Sequence, residues 1–459
     1  MATFKHTFNH AGFKGEVEIP VDLFIGGKYV KSADKNAKTI PVVNPTTGEK
    51  LFDLPEGTEA DVDLAVKAAR EAQETTWGEN IPGFERGKLL MKLAMLVERD
   101  ADILASLEAL DNGKSFGVAR GFDVAESAAC FRYYGGWADK IHGKVIDQSK
   151  DKLTYTRHEP VGVCWLPPPG VVNIVNGYGQ TVGNAISGHM DINKVAFTGS
   201  TAVGRKIMES AAKSNLKKVT LELGGKGANI IFDDCDLDSA VRYAVQGIFF
   251  NHGQTCCAGS RVYVQSGIYD KFVEKFVAVS KKISVGDPFG SDTFQGPQVS
   301  QTQYDRIMNY VECGKAEGAK VLTGGERHGQ TGYFIQPTIF GDVTSSMKIV
   351  QEEIFGPVVV VAKFETEEEV VAAANDSIYG LASGVFTLNV QKAHRVANNL
   401  HAGTVWVNCY NELHSQIPFG GFKASGIGRE LGEYALENYT EIKSVQVRLT
   451  PYVGPVPAI

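Results

Sequence analysis

Lys194-Val195-Ala196-Phe197-Thr198-Gly199-Ser200 and Lys218-Val219-Thr220-Leu221-Glu222-Leu223 are two short β-prone runs, and the helical pattern GRKIMESAAK at 204–213 lies between them. A strand, a glycine turn, a helix and a second strand form the crossover unit of a parallel sheet. The same texture reaches back to YTRHEPVGVC at 155–164 and VVNIV at 171–175. It resumes after about residue 255, with candidate strands RVYVQ at 261–265, PVVVVAKF at 357–364, SGVFT at 383–387 and GTVWVN at 403–408. Two α/β domains are the simplest reading.

Towards the front, VDLFIGGKYV at 21–30 reads as two strands around Gly26 and Gly27, and a second pair turns at Pro45-Thr46-Thr47-Gly48. Thr58, with Asp61 at the capping-box spacing, opens a helix whose apolar face is Val62, Ala65, Val66, Ala69 and Ala72. Further helical patterns cover 84 to 110 and 121 to 141. EIKSVQVRL at 441–449 alternates like a strand but stands alone after a helical run ending near Asn438, so its partner is expected in another sheet or another subunit.

The chain has 459 residues, enough for two to four domains at ~100 to 200 residues each. With 43% hydrophobic and 22% charged residues the composition is that of a globular protein, and no apolar run approaches the ~20 residues of a membrane span. Acidic residues outnumber basic ones by 53 to 46, which argues against nucleic acid as a partner. Seven cysteines are too sparse for a disulfide framework and fit a reducing compartment. The amino terminus has neither a secretory apolar core nor the arginines of an import sequence, so the expected location is cytoplasmic.

Three short stretches could carry chemistry. At 249–261, FFNHGQTCCAGSR holds adjacent Cys256 and Cys257 in a turn of small residues. Adjacent cysteines give neither the C-x-x-C redox pattern nor a zinc site, and no metal is expected. Local composition alone favours a buried pair, while the alternative is one accessible thiolate with backbone N–H groups around it. At 221–226, Glu222 stands between Leu221 and Leu223 ahead of Gly224 and Gly225. Such a glutamate commonly faces solvent; held in a partly apolar cavity, its pKa rises and it becomes a general base. Gly199, Ser200 and Gly204 form a strand-to-helix turn whose N–H groups would suit a pyrophosphate, although the spacing is neither a P-loop nor G-x-G-x-x-G.

Taken together and in this order, these stretches resemble the aldehyde dehydrogenase superfamily, closely so its NAD(P)-dependent acetaldehyde-type and retinal-type members. The resemblance also rests on VNPTTGE and LEALDNGKS near the front, EEIFGPV at 352–358, PFGGFKASGIGRE and the closing helix and strand. It implies two doubly wound α/β domains, a cofactor-binding domain over 10–140 and 161–224 and a catalytic domain over 225–430. A small β oligomerisation arm over 141–160 and 440–450 completes the expected fold, in a homo-oligomer, dimer or tetramer. By motif position Cys256 matches the nucleophile and Glu222 the general base, although Gly227 stands where the motif usually has Ser, Ala, Asp or Asn. Gly199, Ser200, Gly204, Leu223, Glu353 and Phe355 match contacts to NAD or NADP. Phe250, Phe419 and Leu413 match the walls of a small-aldehyde pocket. The implied reaction is oxidation of an aldehyde to a carboxylic acid through a cysteine thioester.

One stretch departs from the family. After Val161-Gly162-Val163-Cys164 the family carries a Pro-Trp-Asn-Phe-Pro motif, a helix, a strand with a cofactor-binding lysine and another helix. Here Cys164-Trp165-Leu166 runs directly into Pro167-Pro168-Pro169-Gly170. A βαβ unit needs ~30 residues or more, so the missing helix–strand–helix is on the order of fifty residues. Its loss removes a side-chain oxyanion donor and the adenine-ribose lysine, which predicts poor turnover. Two further readings follow: a catalytically silent subunit that joins full-length relatives, and a cofactor-independent esterase using Cys256 and Glu222.

Overall fold

A computed structural model describes residues 1–78, 81–163, 170–451 and 454, so the junction at 164–169 lies outside the described residues. The deciding crossover unit is present. Strand Lys194–Thr198 runs parallel to Lys218–Glu222, with Thr198 opposite Glu222, and helix Thr201–Lys213 connects them. A two-residue strand, Gly426–Ile427, pairs antiparallel with Leu221 and Glu222. Among the described residues this sheet has three strands, and Lys194–Thr198 is its edge. The Val163 carbonyl accepts from the N–H groups of Asn193 and Lys194 at 2.9 and 3.3 Å, which tethers the incoming chain at that edge.

The VVNIV run does not become a strand. Ile174 makes one isolated bridge to Phe24, the Asn173 side chain accepts from the Gly26 N–H at 2.8 Å, and Val175 is buried. Its β-branched composition indicates a strand, but strand formation depends on a sheet edge to join, and here the neighbour is only the tip of a hairpin.

Among the described residues the larger sheet contains seven strands. Their spatial order is Lys320–Thr323, Thr338–Gly341, Val358–Phe364, Arg261–Gln265, Ala228–Ile231, Ala382–Phe386 and Thr404–Val407, and only the first is antiparallel to its neighbour. The central strands are buried on both faces, which fits their largely apolar composition and the run of four valines in Val358–Phe364. Ile231, Val262, Val264, Val359 and Val361 pack with helices Leu237–Phe249 and Tyr269–Ser280 on one face, while Ile230, Phe364 and Val385 pack with Glu367–Asn375 and Val390–Asn399 on the other.

A third sheet orders Thr440–Arg448, Lys152–Pro160 and Val145–Ser149. The solitary terminal strand therefore pairs along its length within its own chain. Near the front, both expected hairpins form, Leu23–Ile25 with Lys28–Val30 and Thr39–Val43 with Lys50–Pro55. An additional hairpin, Thr3–Asn9 with Lys14–Pro20, was not expected. Helix Glu59–Thr75 begins at a capping box between Thr58 and Asp61. The 84–110 pattern divides at Asp100 into Gly83–Arg99 and Ala101–Asn112, and the 121–141 pattern becomes a π-turn, Ala119–Asp123, followed by helix Val124–Trp137.

Candidate active site

A cavity of about 400 Å³ opens where Lys194–Thr198 and Lys218–Glu222 end, and it faces the turn that follows helix Leu237–Phe249. Of the sequence-selected residues, Gly199, Ser200, Glu222, Leu223, Phe250, Cys256, Glu353, Phe355 and Leu413 line it. Gly204 and Phe419 stand off the cavity. Gly204 lets the helix approach Leu223, whose Cδ2 lies 2.8 Å from where a Cβ would sit. Phe419 pairs through its backbone with Glu430 and packs against the same core as Cys256 and Leu413.

The thiol turn is built from backbone that few residues adopt. Asn251, His252 and Gly253 have φ of 50, 59 and 71° in succession, and the Asn251 amide donates to the Gln254 carbonyl at 2.9 Å. A Cβ on Gly253 would sit 2.0 Å from the Gly356 carbonyl oxygen, so this position requires glycine on two grounds. His252 is buried, and burial followed by the nearby Lys114 charge pushes its pKa down to about 3, leaving a neutral ring. The two cysteines then divide the roles that composition left open. Both border the cavity, but Cys257 is buried, with its sulfur 3.3 Å from the Asn411 side-chain oxygen, whereas Cys256 is only half-buried. Hydrogen bonding with Cys257 holds the Cys256 thiol below the usual cysteine range, with help from the backbone N–H groups of both residues and against its burial.

Glu222 is buried, and its Oε2 has no hydrogen-bond partner. Burial, and then the negative charge of Cys256 and of Glu430, pushes its pKa up to about 8, with Arg429 opposing. The carboxylate therefore belongs to the less common of the two sequence alternatives. The turn beyond it is fixed at several points. Leu223 N–H donates to Ser425 O at 2.9 Å, Ser425 Oγ donates to Gly224 O at 2.6 Å, and Gly225 N–H donates to Glu353 Oε1 at 3.0 Å. The unusual Gly227 also has a cause: a Cβ there would lie 2.5 Å from the Tyr410 hydroxyl and 2.7 Å from Ala258 O.

On the other wall, Ser200 caps helix Thr201–Lys213, and the Gly199 N–H donates to the Glu222 carbonyl at 3.0 Å. Phe355 sits at φ 59°, its carbonyl accepting from the Gln303 amide at 2.7 Å, while Arg306 donates to Glu353 O at 3.2 Å. Gln303, Arg306, Lys114, Phe122, Asp123 and Asn411 also line the cavity and were not selected from the sequence. They come from helices and loops far apart in the chain, and only tertiary packing unites them. Among the described residues no group of His, Cys, Asp and Glu could hold a metal ion.

Residues 29–166 and 167–445 match the Aldehyde dehydrogenase family. The chain belongs to the aldehyde dehydrogenase family. It is 55% identical to an aldehyde dehydrogenase of Aspergillus niger, across 94% of this chain and 96% of that protein. It is 50% identical to the mitochondrial aldehyde dehydrogenase of Homo sapiens, across 93% and 92%. The NAD+ complex of an aldehyde dehydrogenase from Bacillus cereus superposes with a TM-score of 0.91 at 46% identity, covering 94% of this chain and 97% of that one. The α/β architecture is thus that of the aldehyde dehydrogenases. The family match consists of two pieces that abut between 166 and 167. The alignment with the Aspergillus protein runs over 480 positions, more than the 459 residues of this aldehyde dehydrogenase chain.

Proposed function

We propose that the chain oxidises small aldehydes to carboxylic acids with NAD or NADP, Cys256 acting as nucleophile and Glu222 as general base. The observation that carries this is the convergence on one cavity of an accessible thiol with a depressed pKa and a buried carboxyl pushed up to about 8. The Cys256 sulfur adds to the aldehyde carbon, and the carbonyl oxygen takes up the electron pair as a thiohemiacetal alkoxide. A nicotinamide cofactor held beside this carbon would supply the hydride acceptor, and Cys256 would then carry a thioester. Glu222 then takes a proton from water, the oxygen attacks the thioester carbon, and the Cys256 thiolate leaves as the acid is released. Burial, and then the negative charge of Cys256, keep the proton on Glu222 at neutral pH.

The residues present fit the nicotinamide half of the cofactor. Glu353 is half-buried and accepts from the Gly225 N–H, and Gly224 leaves room for that carboxylate, whose Oε2 lies 2.1 Å from where a Cβ would sit. Gly199 and Ser200 present the start of a helix, where N–H groups favour phosphate oxygens. Glu353 and Phe355 would hold the nicotinamide ribose and ring, with Leu223 beside them. The adenine half has fewer partners, since Lys194–Thr198 is a sheet edge among the described residues. We therefore read the chain as a family member that keeps the nucleophile and general base of acyl transfer, with a shortened cofactor-binding half over 10–140 and 161–224. The catalytic half spans 225–430, and the arm spans 141–160 and 440–450. Exposed Val145, Ile146, Ile442 and Leu449 on and beside the arm sheet support a homo-oligomer, dimer or tetramer. No helix among the described residues is long and apolar enough to cross a membrane, and the sparse cysteines, all unpaired where described, support a cytoplasmic setting.

The test is acid formation from acetaldehyde by the purified chain with NAD+ or NADP+, beside Cys256→Ala. Acid produced by the parent chain and absent in the variant is expected. Equal acid from both would remove Cys256 from the reaction.

A further inference from the structure

The cavity that holds Cys256 has one wall that the mechanism does not use. Phe122 lines it and meets Phe250 edge-on, with ring centroids 5.4 Å apart at 80°. Phe122 is carried by the π-turn Ala119–Asp123, one wide turn set ahead of helix Val124–Trp137. Such a turn inserts a residue into a helix and re-aims the side chains around it, and π-turns recur at functional sites.

This turn is pinned on both sides of Phe122. On the outer side, Arg120 Nε reaches Asp102 at 2.6 Å. On the inner side, the Lys114 ammonium, 8% exposed, lies 2.7 Å from the Asp123 carboxylate and 3.2 Å from that of Glu108. A buried ammonium shared by two carboxylates is a weak source of net stability but a strong geometric constraint, because moving either partner leaves a charge uncompensated in a poorly solvated site. Ala119, fully buried against Ala101 and Ala105, fixes the start of the turn. Phe122 therefore has little freedom to retreat when a bulky group enters.

We propose that Phe122, held by the Lys114–Asp123–Glu108 cluster, limits the acyl group that reaches Cys256 to small, unbranched aliphatic chains. Phe122 is a specificity-determining residue, and Lys114 and Asp123 are positioning residues. The proposal deepens the reading of Cys256 as nucleophile and rests on it.

The experiment measures alkylation of Cys256 in the full chain by iodoacetamide and by the bulkier N-benzyl iodoacetamide, with peptide mapping, and takes the ratio of the two rates. This needs no cofactor and no turnover. Phe122→Ala is expected to shift the ratio towards the bulky reagent by at least about tenfold, the scale on which hydrophobic pockets discriminate, and Phe122→Trp to shift it the other way. Asp123→Asn is expected to give a partial shift towards the bulky reagent and Asp123→Glu to restore the parent ratio. General loosening of the fold would instead raise both rates together and expose Cys257, leaving the ratio unchanged. An unchanged ratio in both Phe122 variants overturns the proposal. Failure of iodoacetamide to select Cys256 in the parent chain overturns instead the underlying assignment of the nucleophile.

Discussion

The Tyr410 hydroxyl donates to the Cys257 carbonyl at 2.8 Å, inside the core and directly behind the cavity-facing thiol. The same hydroxyl occupies the space that a side chain on residue 227 would need. One tyrosine thus anchors the cysteine turn and explains the glycine at which this chain departs from its family's usual motif. Tyr410→Phe leaves a buried carbonyl without its partner and is expected to cost about 1–3 kcal/mol in urea unfolding. Gly227→Ala meets the backbone oxygen of Ala258 as well as the hydroxyl, so overpacking of about 1–3 kcal/mol is expected to persist even when combined with Tyr410→Phe. Full rescue in the double variant would show that Ala258 does not constrain this position.

Cys256 is expected to be the most reactive thiol. Its pKa is lowered by hydrogen bonding with Cys257, whereas Cys257 is pushed well up by that same pairing and by burial, and Cys130 is raised by burial and by Glu126. Limited alkylation with peptide mapping tests this, and earlier labelling of Cys257 or Cys130 would count against it.

Glu222 carries its proton at neutral pH and yields its base form as pH rises through about 8. Hydrolysis of an acyl group preloaded on Cys256 from an activated ester is therefore expected to accelerate about tenfold per pH unit below that value and to level above it. Glu222→Gln should slow it by about 10² to 10⁴ while leaving acylation largely intact. A raised carboxyl pKa means that the folded state binds the proton more tightly, so Glu222 costs stability increasingly as pH climbs from the ordinary glutamate range to about 8. The glutamine variant is accordingly expected to melt higher than the parent near pH 8, and an equal or lower midpoint would contradict the buried carboxyl with a raised pKa.

Insertion of the family's segment between Leu166 and Pro167 is expected to strengthen NAD+ binding and to raise aldehyde turnover by at least about 10² to 10³, the scale of one restored oxyanion donor. Calorimetry and steady-state assays on the two chains decide this. Comparable affinity and turnover would mean that the short junction supplies a cofactor site of its own.

Asp61 accepts from Ser32 Oγ, Ala33 N, Thr58 N and Thr58 Oγ1, at 2.6 to 2.9 Å. Burial opposes its ionisation, and these four donors prevail and lower its pKa. Its contribution is present above the ordinary aspartate range and is lost as pH falls through the depressed value. Asp61→Ala is expected to cost about 2–4 kcal/mol at neutral pH and to flatten the acid limb of the stability profile, as read by denaturant melts across pH. An unaltered acid limb would remove Asp61 from it.

The sequence by itself determined the alternation of strands and helices, the hairpins at Gly26-Gly27 and Pro45–Gly48, the capped helix at Thr58 and the identity of the thiol and carboxyl motifs. Those signals are local: period, turn chemistry and cap spacing act within a few residues, and a long ordered set of motifs carries the family. Tertiary structure alone decided whether Glu222 faced solvent or a cavity, because a strand position next to leucine is compatible with both and only the Ser425, Glu353 and Cys256 segments packed around it remove the water. It also decided that Cys257 is the buried member of the pair, through Tyr410 and Asn411, which lie more than a hundred residues away in the chain. VVNIV failed as a strand, and the 441–449 run found its partner within the chain, for the same reason: a strand exists only where a neighbouring edge offers hydrogen bonds, and no local pattern records which edge that is. Phe122 and Asp123 reach the cavity through a π-turn, a one-residue insertion that leaves helical periodicity almost intact while changing which side chains face the chemistry.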